Sequence, residues 1–329
     1  MKTHSKMLQA QTRADSIAHL GETQLIQQIV SWLDAVNPIA PNGIGDDCAV
    51  LNPIREGQQL LTTDSISYGH HFDNIIAPEN VGAKLIKRNL SDIAAMGGIP
   101  GSAVLALLCS PDVSIDWLKG FFTGIRETCT RYSVSLVGGD ISTLKETAFS
   151  AVLTLNGHVA KPKLRTSSQL GDTIYVTGTL GGSILGKHYQ FEPRLAEGQW
   201  LCEQPECHAM MDLSDGLGKD LQALLPANTS AHLFLDQIPL SNATRELAQT
   251  SGLDELEHAF CDGEDYELLF TLDANTNRSE FKKKWQQRFP NTTLAYIGNI
   301  KPASTKEPYL DARTEAVLPW TYGFEHLKA

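Results

Sequence analysis

The segment Gly43-Ile44-Gly45-Asp46-Asp47-Cys48-Ala49-Val50 places two adjacent carboxylates directly after two glycines. Glycine permits a tight turn and a close approach of the backbone to a ligand. Bare aspartates would repel a polyphosphate, whereas a divalent cation held between carboxylate and phosphate removes that repulsion. Mg²⁺ suits this role because it prefers hard oxygen ligands and keeps water and substrate phosphates in its shell. The same residues are also ordinary at a surface turn, so the segment alone leaves both interpretations open.

Further aspartates recur at comparable places along the chain. Asp64 follows two threonines, Asp140 follows two glycines, and Asp212 and Asp215 share one short motif. Asp92 lies inside a predicted helix, where aspartate is a poor helix former. Each of them alone is explained as a cap or turn residue, but one cation–phosphate site explains them all. Because converging carboxylates repel one another unless cations neutralise them, the pattern predicts several Mg²⁺ ions.

Hydrophobic periodicity predicts a mixture of helices and strands in both halves of the chain. The elements expected in the first half are helices at 22–36, 78–96 and 114–132 and strands at 60–67, 102–108, 133–137 and 147–159. A strand at 173–177 and helices at 193–202 and 214–225 are expected in the second half. This mixture favours a layered α+β or α/β fold. The polar segment 161–172 is the predicted boundary between a domain at 21–160 and a domain at 161–329, and residues 1–20 are expected to form a loose extension.

Composition limits the class of protein. The chain has 329 residues, 42% of them hydrophobic and 20% charged, and a formal net charge of -11. This acidic balance argues against nonspecific nucleic-acid binding, which depends on lysine and arginine. The chain has no apolar run of about 18 residues and no secretory signal pattern, so we expect a cytoplasmic protein without membrane contact.

Cysteine usage and the common nucleotide-binding motifs exclude several alternatives. The six cysteines contain no CxxC pair. Cys202 and Cys207 beside His208 give a weak indication of structural zinc, but a second ligand pair at the usual spacing is missing, and free thiols in a reducing compartment are the favoured interpretation. The chain lacks both the GxxxxGK[ST] phosphate loop and the protein-kinase motifs.

Six motifs in order resemble the thiamine-monophosphate kinases, a family of the aminoimidazole-ribonucleotide-synthetase-like ATP-binding superfamily. The resemblance runs from about Gly21 to the C-terminus, and it is specific because the whole series is present. The motifs are Gly43-Ile44-Gly45-Asp46-Asp47, Thr63-Asp64, Asn89-Leu90-Ser91-Asp92-Ile93-Ala94-Ala95-Met96-Gly97, Gly138-Gly139-Asp140, Asp212-Leu213-Ser214-Asp215-Gly216-Leu217 and Gly263-Glu264-Asp265-Tyr266-Glu267-Leu268.

The resemblance implies an enzyme that transfers the γ-phosphoryl group of ATP to thiamine monophosphate, giving thiamine diphosphate and ADP. It also implies a two-domain synthetase-like fold, a homodimer formed through the N-terminal sheet, and a site between the domains of each chain. The Mg²⁺ ligands that it implies are Asp47, Thr62, Thr63, Asp64, Asp92, Asp140, Asp212 and Asp215, of which Asp47, Asp92, Asp140 and Asp212 would act in catalysis through the metal. The implied nucleotide contacts are Gly139, Asp140, Arg165 and Ser214, and the implied substrate contacts are His71, Glu264 and Phe324.

Two segments depart from the family pattern, and two other functions stay open. The loop Arg165-Thr166-Ser167-Ser168-Gln169-Leu170-Gly171-Asp172 lacks the usual glycine after arginine and serine, and the stretch from Gly186 to Trp200 is shorter than in typical members. One alternative is another ATP-dependent enzyme of the superfamily with a different small acceptor. The other is a non-catalytic nucleotide-binding protein, against which the intact set of aspartates argues.

Overall fold

The computed structural model describes residues 7–45, 48–53, 56–145 and 148–325, and these residues form two units. The first unit comprises Met1–Ile93 and Ile99–Ala160, and the second comprises Ala94–Gly98 and Lys161–Ala329. Asp46 and Asp47 lie outside the described residues, so the expectation for Asp47 concerns a part of the chain on which the structure gives no information.

The first unit is a four-stranded sheet with helices on one face. Strand order is β1-β4-β2-β3; β4 runs antiparallel to both β1 and β2, and β3 runs parallel to β2, so β1 and β3 are the two edges. Its elements are α1 (Gly21–Leu33), β1 (Gln58–Ser67), α2 (Pro78–Ala95), β2 (Ile99–Cys109), α3 (Ile115–Tyr132), β3 (Ser135–Thr143) and β4 (Phe149–Val159).

Strand alternation separates a buried face of this sheet from an open face. On the buried face, Phe149 packs against Trp117 of α3 with ring centroids 4.9 Å apart, and Leu153 is fully buried. On the open face, the side chains of Leu61 and Val104 are 73% and 42% exposed. Among the described residues, the first unit therefore exposes apolar side chains on a sheet face opposite its helices.

Glycine lets helices α2 and α3 cross closely. A Cβ atom at Gly124 would lie 1.8 Å from the carbonyl oxygen of Glu79, so no larger residue fits at this crossing. Helix α3 begins at an N-cap in which the Ser114 hydroxyl accepts a hydrogen bond from the amide of Trp117. The crossing fixes α2, which carries Asp92, relative to the rest of the first unit.

Residues 7–20 do not form the loose extension that was expected. Leu8 and Ile17 are buried, and two short 3₁₀ turns occupy Arg13–Asp15 and Ile17–His19. The amide of Ile17 donates to the carbonyl of Val113, and the amide of Ser114 donates to the carbonyl of Leu8. The segment is polar overall, so its composition did not indicate that Leu8 and Ile17 are buried and attach it to the first unit.

The second unit is built on a six-stranded sheet of order β10-β7-β9-β5-β8-β6. Strand β10 pairs parallel to β7, and the other neighbours pair antiparallel. Its elements are β5 (Thr173–Thr177), α4 (Lys187–Gln190), α5 (Leu195–Glu203), β6 (Cys207–Asp212), α6 (Leu217–Asp220), β7 (Thr229–Leu233), α7 (Asn242–Ser251), α8 (Glu255–Cys261), β8 (Leu268–Leu272), α9 (Arg278–Arg288), β9 (Leu294–Pro302) and β10 (Tyr309–Asp311).

One core of the second unit lies between this sheet and helices α6 and α8, and α9 covers the other face with Phe281 and Trp285 packed on Phe270. Buried members of that core include Ile174, Leu217, Phe260 and Leu269. The helix expected at 214–225 is two shorter pieces, α6 and a 3₁₀ turn at Leu221–Leu224. In the part of the chain that the structure describes, no helix is both long and apolar enough to cross a membrane.

Candidate functional site

The glycine turn before Asp46 has the close backbone approach that its sequence indicates. A Cβ atom at Gly43 would lie 1.9 Å from the carbonyl oxygen of Pro38, and Gly45 has a φ of +146°. The amide of Ile44 donates to the side chain of Asn37 at 2.9 Å. Both glycines are therefore required by the backbone path that leads into the predicted aspartate pair.

Strand β1 and helix α2 bring together three of the predicted Mg²⁺ ligands. The Thr62 hydroxyl donates a hydrogen bond to the Asp92 carboxylate. Asp64 lies two residues further along β1, so its side chain is on the same face of the sheet as that of Thr62. One carboxylate oxygen of Asp64, Oδ1, contacts Arg88 Nη2 of helix α2 at 3.0 Å. Hydroxyl and carboxylate oxygens are the donors that Mg²⁺ prefers, so this group fits the metal chemically.

Thr63 lies on the opposite face of the same strand. Its hydroxyl donates to the carbonyl of Leu153 at 3.0 Å and accepts from the hydroxyl of Thr154 at 3.1 Å. The side chain of Thr63 is thus engaged on the open face of the sheet rather than beside Thr62 and Asp64, because neighbouring residues of a strand alternate between faces.

Asp140 lies at the other edge of the sheet. It belongs to β3, and β4 and β2 separate β3 from β1, which corresponds to about 14 Å at the usual strand spacing. The Ser142 hydroxyl donates to Asp140 at 2.9 Å. The strand expected to end at Val137 continues through Asp140 to Thr143, because Gly138, Gly139 and Asp140 still pair with β2 after a register shift at Val137. The sheet of one chain therefore keeps Asp140 away from Asp64.

A cleft of about 220 Å³ lies along the buried side of β3. Gly139 and Asp140 line it together with Glu22 of α1. A Cβ atom at Gly139 would lie 2.0 Å from the carbonyl oxygen of Leu105, so only glycine fits there. The apolar part of its lining is formed by Ile26, Ile29, Leu105, Leu107, Phe122 and Leu136.

In the second unit, the turn after β6 holds Asp212, Ser214 and Asp215. Asp212 ends β6 and is 6% exposed. The Asp215 carboxylate contacts Lys219 Nζ at 2.6 Å, and its amide donates to Asp220 at 2.9 Å. Burial, reinforced by the nearby charges of Asp212 and Asp215, raises the pKa of the Asp220 carboxyl to about 7. Asp220, which the sequence analysis missed, thus fixes the backbone of the aspartate turn.

Two of the predicted substrate residues lie against this turn. The Glu264 amide donates to the carbonyl of Ser214 at 2.7 Å, and the Phe324 amide donates to the carbonyl of Asp215 at 2.9 Å. Lys219 Nζ donates to the Phe324 carbonyl at 2.8 Å as well as to Asp215. The structure therefore gathers Ser214, Asp215, Glu264 and Phe324 in one region of the second unit.

Aromatic and imidazole groups surround the Glu264 carboxylate. The Tyr266 hydroxyl donates to Glu264 Oε1 at 3.0 Å, and His188 Nδ1 lies 3.5 Å from Oε2. Phe191 stacks on Tyr266 with ring centroids 3.9 Å apart. Both Glu264 and Tyr266 have positive φ angles, 54° and 51°, which are uncommon for residues other than glycine and frequent at functional sites.

A buried ion network holds this strained segment in place. Arg194 donates two parallel hydrogen bonds to Glu267, and Lys187 Nζ lies 2.9 Å from the same carboxylate. The Gly181 amide donates to both oxygens of Asp265, at 2.9 and 3.1 Å. No sequence signal identified this network, because its cations and its carboxylates are some seventy residues apart along the chain. The network attaches the segment that carries Glu264 to the segment that carries His188.

The remaining predicted residues have simpler surroundings. His71 Nδ1 accepts from the Ser67 amide at 3.1 Å, next to the end of β1. Arg165 lies in an exposed 3₁₀ turn at Arg165–Ser167. The zinc interpretation fails, because His208 contacts Asp172 at 2.9 Å while the strand turns the neighbouring Cys207 to the other face. Across residues 7–45, 48–53, 56–145 and 148–325, no group of three or more His, Cys, Asp or Glu side chains is close enough to hold a metal.

Comparison with known proteins gives a consistent result. Residues 45–160 match the family model of the AIR synthase related protein, N-terminal domain. The thiamine-monophosphate kinase of Rhodopirellula baltica is 39% identical over 239 residues, which are 70% of this chain and 75% of the relative. The thiamine-monophosphate kinase of Haemophilus influenzae is 32% identical over 336 residues, 94% of this chain and 98% of the relative.

The fold also matches a liganded structure. A structure described as AaThiL complexed with AMPPCP and TMP superposes with a TM-score of 0.62 and 28% identity, covering 91% of this chain and 95% of that chain. The two-domain synthetase-like fold predicted from the sequence is thereby confirmed.

Proposed function

The chain belongs to the thiamine-monophosphate kinase family, and on this premise we propose that it transfers the γ-phosphoryl group of ATP to thiamine monophosphate. The products are thiamine diphosphate and ADP. The observation that carries the proposal is the match to the Haemophilus influenzae enzyme over 94% of this chain and 98% of the relative. The proposal agrees with the activity that the ordered motifs predict.

The chemistry needs positioning more than proton transfer. The acceptor is already a phosphate, whose oxygen is a competent nucleophile at neutral pH without a strong general base. Catalysis then rests on in-line alignment and on stabilisation of the charge on the transferred group. When bound, Mg²⁺ supplies that charge stabilisation. Thr62, Asp64 and Asp92 offer the hard oxygen donors that would hold it, and their joint position on β1 and α2 supports this role.

The proposed metal and nucleotide sets extend beyond this group. We propose that several Mg²⁺ ions bind, and that the cleft beside Gly139 and Asp140 contributes to ATP binding. Gly139 and Asp140 line this cleft, which supports that part of the proposal. Arg165 can form paired hydrogen bonds with phosphate oxygens. Further proposed contacts to metal or nucleotide are Asp47, Asp212, Ser214 and Asp215.

The thiazolium ring of thiamine monophosphate is a cation, and it favours a carboxylate and aromatic faces. Glu264, with its carboxylate held by Tyr266, is the proposed partner of this charge. Phe324 lies beside the same turn and is the proposed aromatic contact, while His71 is a proposed contact from the first unit. The stretch from Gly186 to Trp200 supplies His188 and Phe191 to the surroundings of Glu264 and Tyr266.

We further propose a cytoplasmic homodimer. The exposed Leu61 and Val104 on the open face of the sheet support an association through that face, because an uncovered apolar sheet surface favours burial against a partner. The six cysteines are free thiols, as expected in a reducing compartment.

The deciding experiment measures ADP formation with Mg²⁺ and ATP in three parallel reactions, with thiamine monophosphate, with thiamine, and with no acceptor. Turnover that depends on thiamine monophosphate, with thiamine diphosphate as the second product, is the expected result. ATP binding without acceptor-dependent turnover would contradict the proposal and would favour a superfamily enzyme with another acceptor. We expect little turnover with thiamine, because an alcohol nucleophile, unlike a phosphate oxygen, needs a general base.

A further inference from the structure

Arg88 is directed from helix α2 toward the carboxylate of Asp64. Arg88 Nη2 lies 3.0 Å from Asp64 Oδ1, and Nη1 donates to the carbonyl of Ser65 at 2.5 Å. The side chain of Arg88 is 14% exposed and that of Asp64 is 24% exposed. Two contacts to neighbouring residues of β1 fix the guanidinium in one orientation, which a flexible surface ion pair does not do.

Arg88 lies between Lys84 and Asp92 on one face of helix α2. Lys84, Arg88 and Asp92 are four residues apart, so they lie on one face of α2 on successive turns. Lys84 Nζ donates to the carbonyl of His71 at 3.2 Å, and Asp92 accepts from Thr62. This helix face therefore contacts β1 and the loop after it, and it brings a permanent positive charge to the carboxylate of Asp64.

We propose that Arg88 is a fixed cation of the phosphoryl-transfer site, with its guanidinium taking the place of one divalent cation beside Asp64. The inference rests on the proposed function. Arg88 already places a positive charge 3.0 Å from the Asp64 carboxylate, where a divalent cation would otherwise supply it. The guanidinium of arginine stays positively charged at every physiological pH. It also needs no loss of coordinated water, which Mg²⁺ gives up reluctantly. Arg88 holds Oδ1 of Asp64, so a divalent cation binds this carboxylate through Oδ2.

The test counts bound ions. Mn²⁺ serves as the probe because the electron paramagnetic resonance signal of the free ion gives the bound number directly. Titrations are made on the full chain, with and without a non-hydrolysable ATP analogue, for the wild type, Arg88→Gln and Arg88→Lys. The matched control is Lys119→Gln, which removes a positive charge from an exposed position of α3 in the same unit. Circular dichroism checks that each variant is folded.

Arg88→Gln is expected to bind one more Mn²⁺ per chain than the wild type. Arg88→Lys and Lys119→Gln are expected to bind the wild-type number, the first because it keeps the charge and the second because it is remote from the carboxylates. An unchanged count in Arg88→Gln would overturn the proposal and leave Arg88 as a structural ion pair. A gain of one ion in Lys119→Gln would overturn it as well, because net charge alone would then explain the effect.

A crystal of the wild type soaked in Mn²⁺ and the ATP analogue gives a second test that does not depend on the folding of a variant. Anomalous scattering is expected to place an ion on Asp64 Oδ2 while Arg88 remains on Oδ1. An ion on Oδ1 with Arg88 displaced would overturn the proposal. These outcomes are separate from the activity: failure to phosphorylate thiamine monophosphate would defeat the proposed function with the ion count intact, and normal turnover with an unchanged count would defeat only the present inference.

Discussion

Arg194 and Glu267 form a two-point ion pair, with Nε and Nη2 of the guanidinium donating to the two carboxylate oxygens at 2.7 and 2.8 Å. The Glu267 side chain is 2% exposed. Burial alone would favour the neutral acid, but the cations Lys187 and Arg194 outweigh it, and the pKa of the Glu267 carboxyl is lowered. The two cations together thus keep this charge inside the second unit.

Arg194→Gln is expected to lower the free energy of unfolding of the second unit by about 3 kcal/mol, since removing one partner leaves a buried charge poorly compensated. Urea denaturation followed by tryptophan fluorescence measures it, with Trp200, Trp285 and Trp320 reporting from the second unit. The control is Arg245→Gln, whose pair with Glu255 is exposed and 3.8 Å long, and a change below about 0.5 kcal/mol is expected there. Equal effects of the two substitutions would contradict this account of the network.

Asp265 makes the stability of the second unit depend on pH. Burial raises the pKa of its carboxyl to about 7, against about 3.9 in an unfolded chain. The folded state therefore binds the proton more tightly, and the resulting stabilisation is complete below pH 4 and lost as the pH rises through 7. Between pH 5 and 8 the wild type should lose about 2 kcal/mol more than Asp265→Asn, which keeps an acceptor for the Gly181 amide. Urea midpoints at the two pH values measure this, and parallel curves for both proteins would refute it.

The sequence predicted those features that arise from local patterns. Helix α2 was expected at 78–96 and occupies Pro78–Ala95, because its apolar spacing and its first-turn proline act locally. The predicted end of strand β3 at Val137 came too early. Paired glycines usually indicate a turn, whereas here their pairing with β2 keeps them extended. The expectation of a loose N-terminal extension was wrong, because Leu8 is buried in a segment that pairs with Ser114, about a hundred residues further along the chain.

The same distinction between local patterns and distant contacts applies to the predicted site. Thr62, Asp64 and Asp92 were expected to meet, and two elements do bring them together, but the sequence could not show that Thr63 faces the opposite side or that Asp140 lies at the far edge of the sheet. Both facts depend on strand order, which periodicity does not determine. Arg88 was missed although the spacing of Lys84, Arg88 and Asp92 was available, because a charged helix face usually indicates only solvent exposure.

Gly139 and Gly138 provide a matched pair for the cleft beside β3. A methyl group at Gly139 would lie 2.0 Å from the Leu105 carbonyl oxygen, whereas one at Gly138 would meet only Val104 Cγ1 at 3.5 Å. We expect Gly139→Ala to push β3 from β2 and to cost about 2–3 kcal/mol of stability, and Gly138→Ala to cost much less. Thermal denaturation of both variants measures this difference in stability. Equal melting temperatures would show that β3 moves to accommodate the methyl group without loss of stability.

Asp92→Asn tests the shared cation at β1 and α2. Asparagine keeps an oxygen that accepts the Thr62 hydrogen bond but removes the charge, so the protein should stay folded while kcat falls on the order of 100-fold or more. Measurement of kcat across a Mg²⁺ titration separates weaker metal binding from lost turnover. Asp112→Asn, in an exposed turn of the same unit, serves as the control. Wild-type turnover in Asp92→Asn would refute a metal role for this carboxylate.

Tyr266→Phe tests whether Glu264 recognises the acceptor. The variant keeps the ring that stacks on Phe191 but loses the hydroxyl that donates to Glu264 Oε1 at 3.0 Å. A lost hydrogen bond to a charged group is worth about 1 kcal/mol or more, so the KM for thiamine monophosphate should rise about five-fold, with the KM for ATP unchanged. Steady-state kinetics with each substrate varied in turn measure both constants.

The control for Tyr266→Phe is Tyr296→Phe, which removes a hydroxyl donating to Asn299 at 2.7 Å elsewhere in the same unit. Neither KM should change in that variant, because Asn299 is uncharged and lies on β9. If Tyr266→Phe raised both KM values together, the hydroxyl would support the fold of the whole site rather than the orientation of Glu264. If it raised neither, the Tyr266 hydroxyl would not be needed to orient Glu264, and the carboxylate would hold its position through His188 and the ion network.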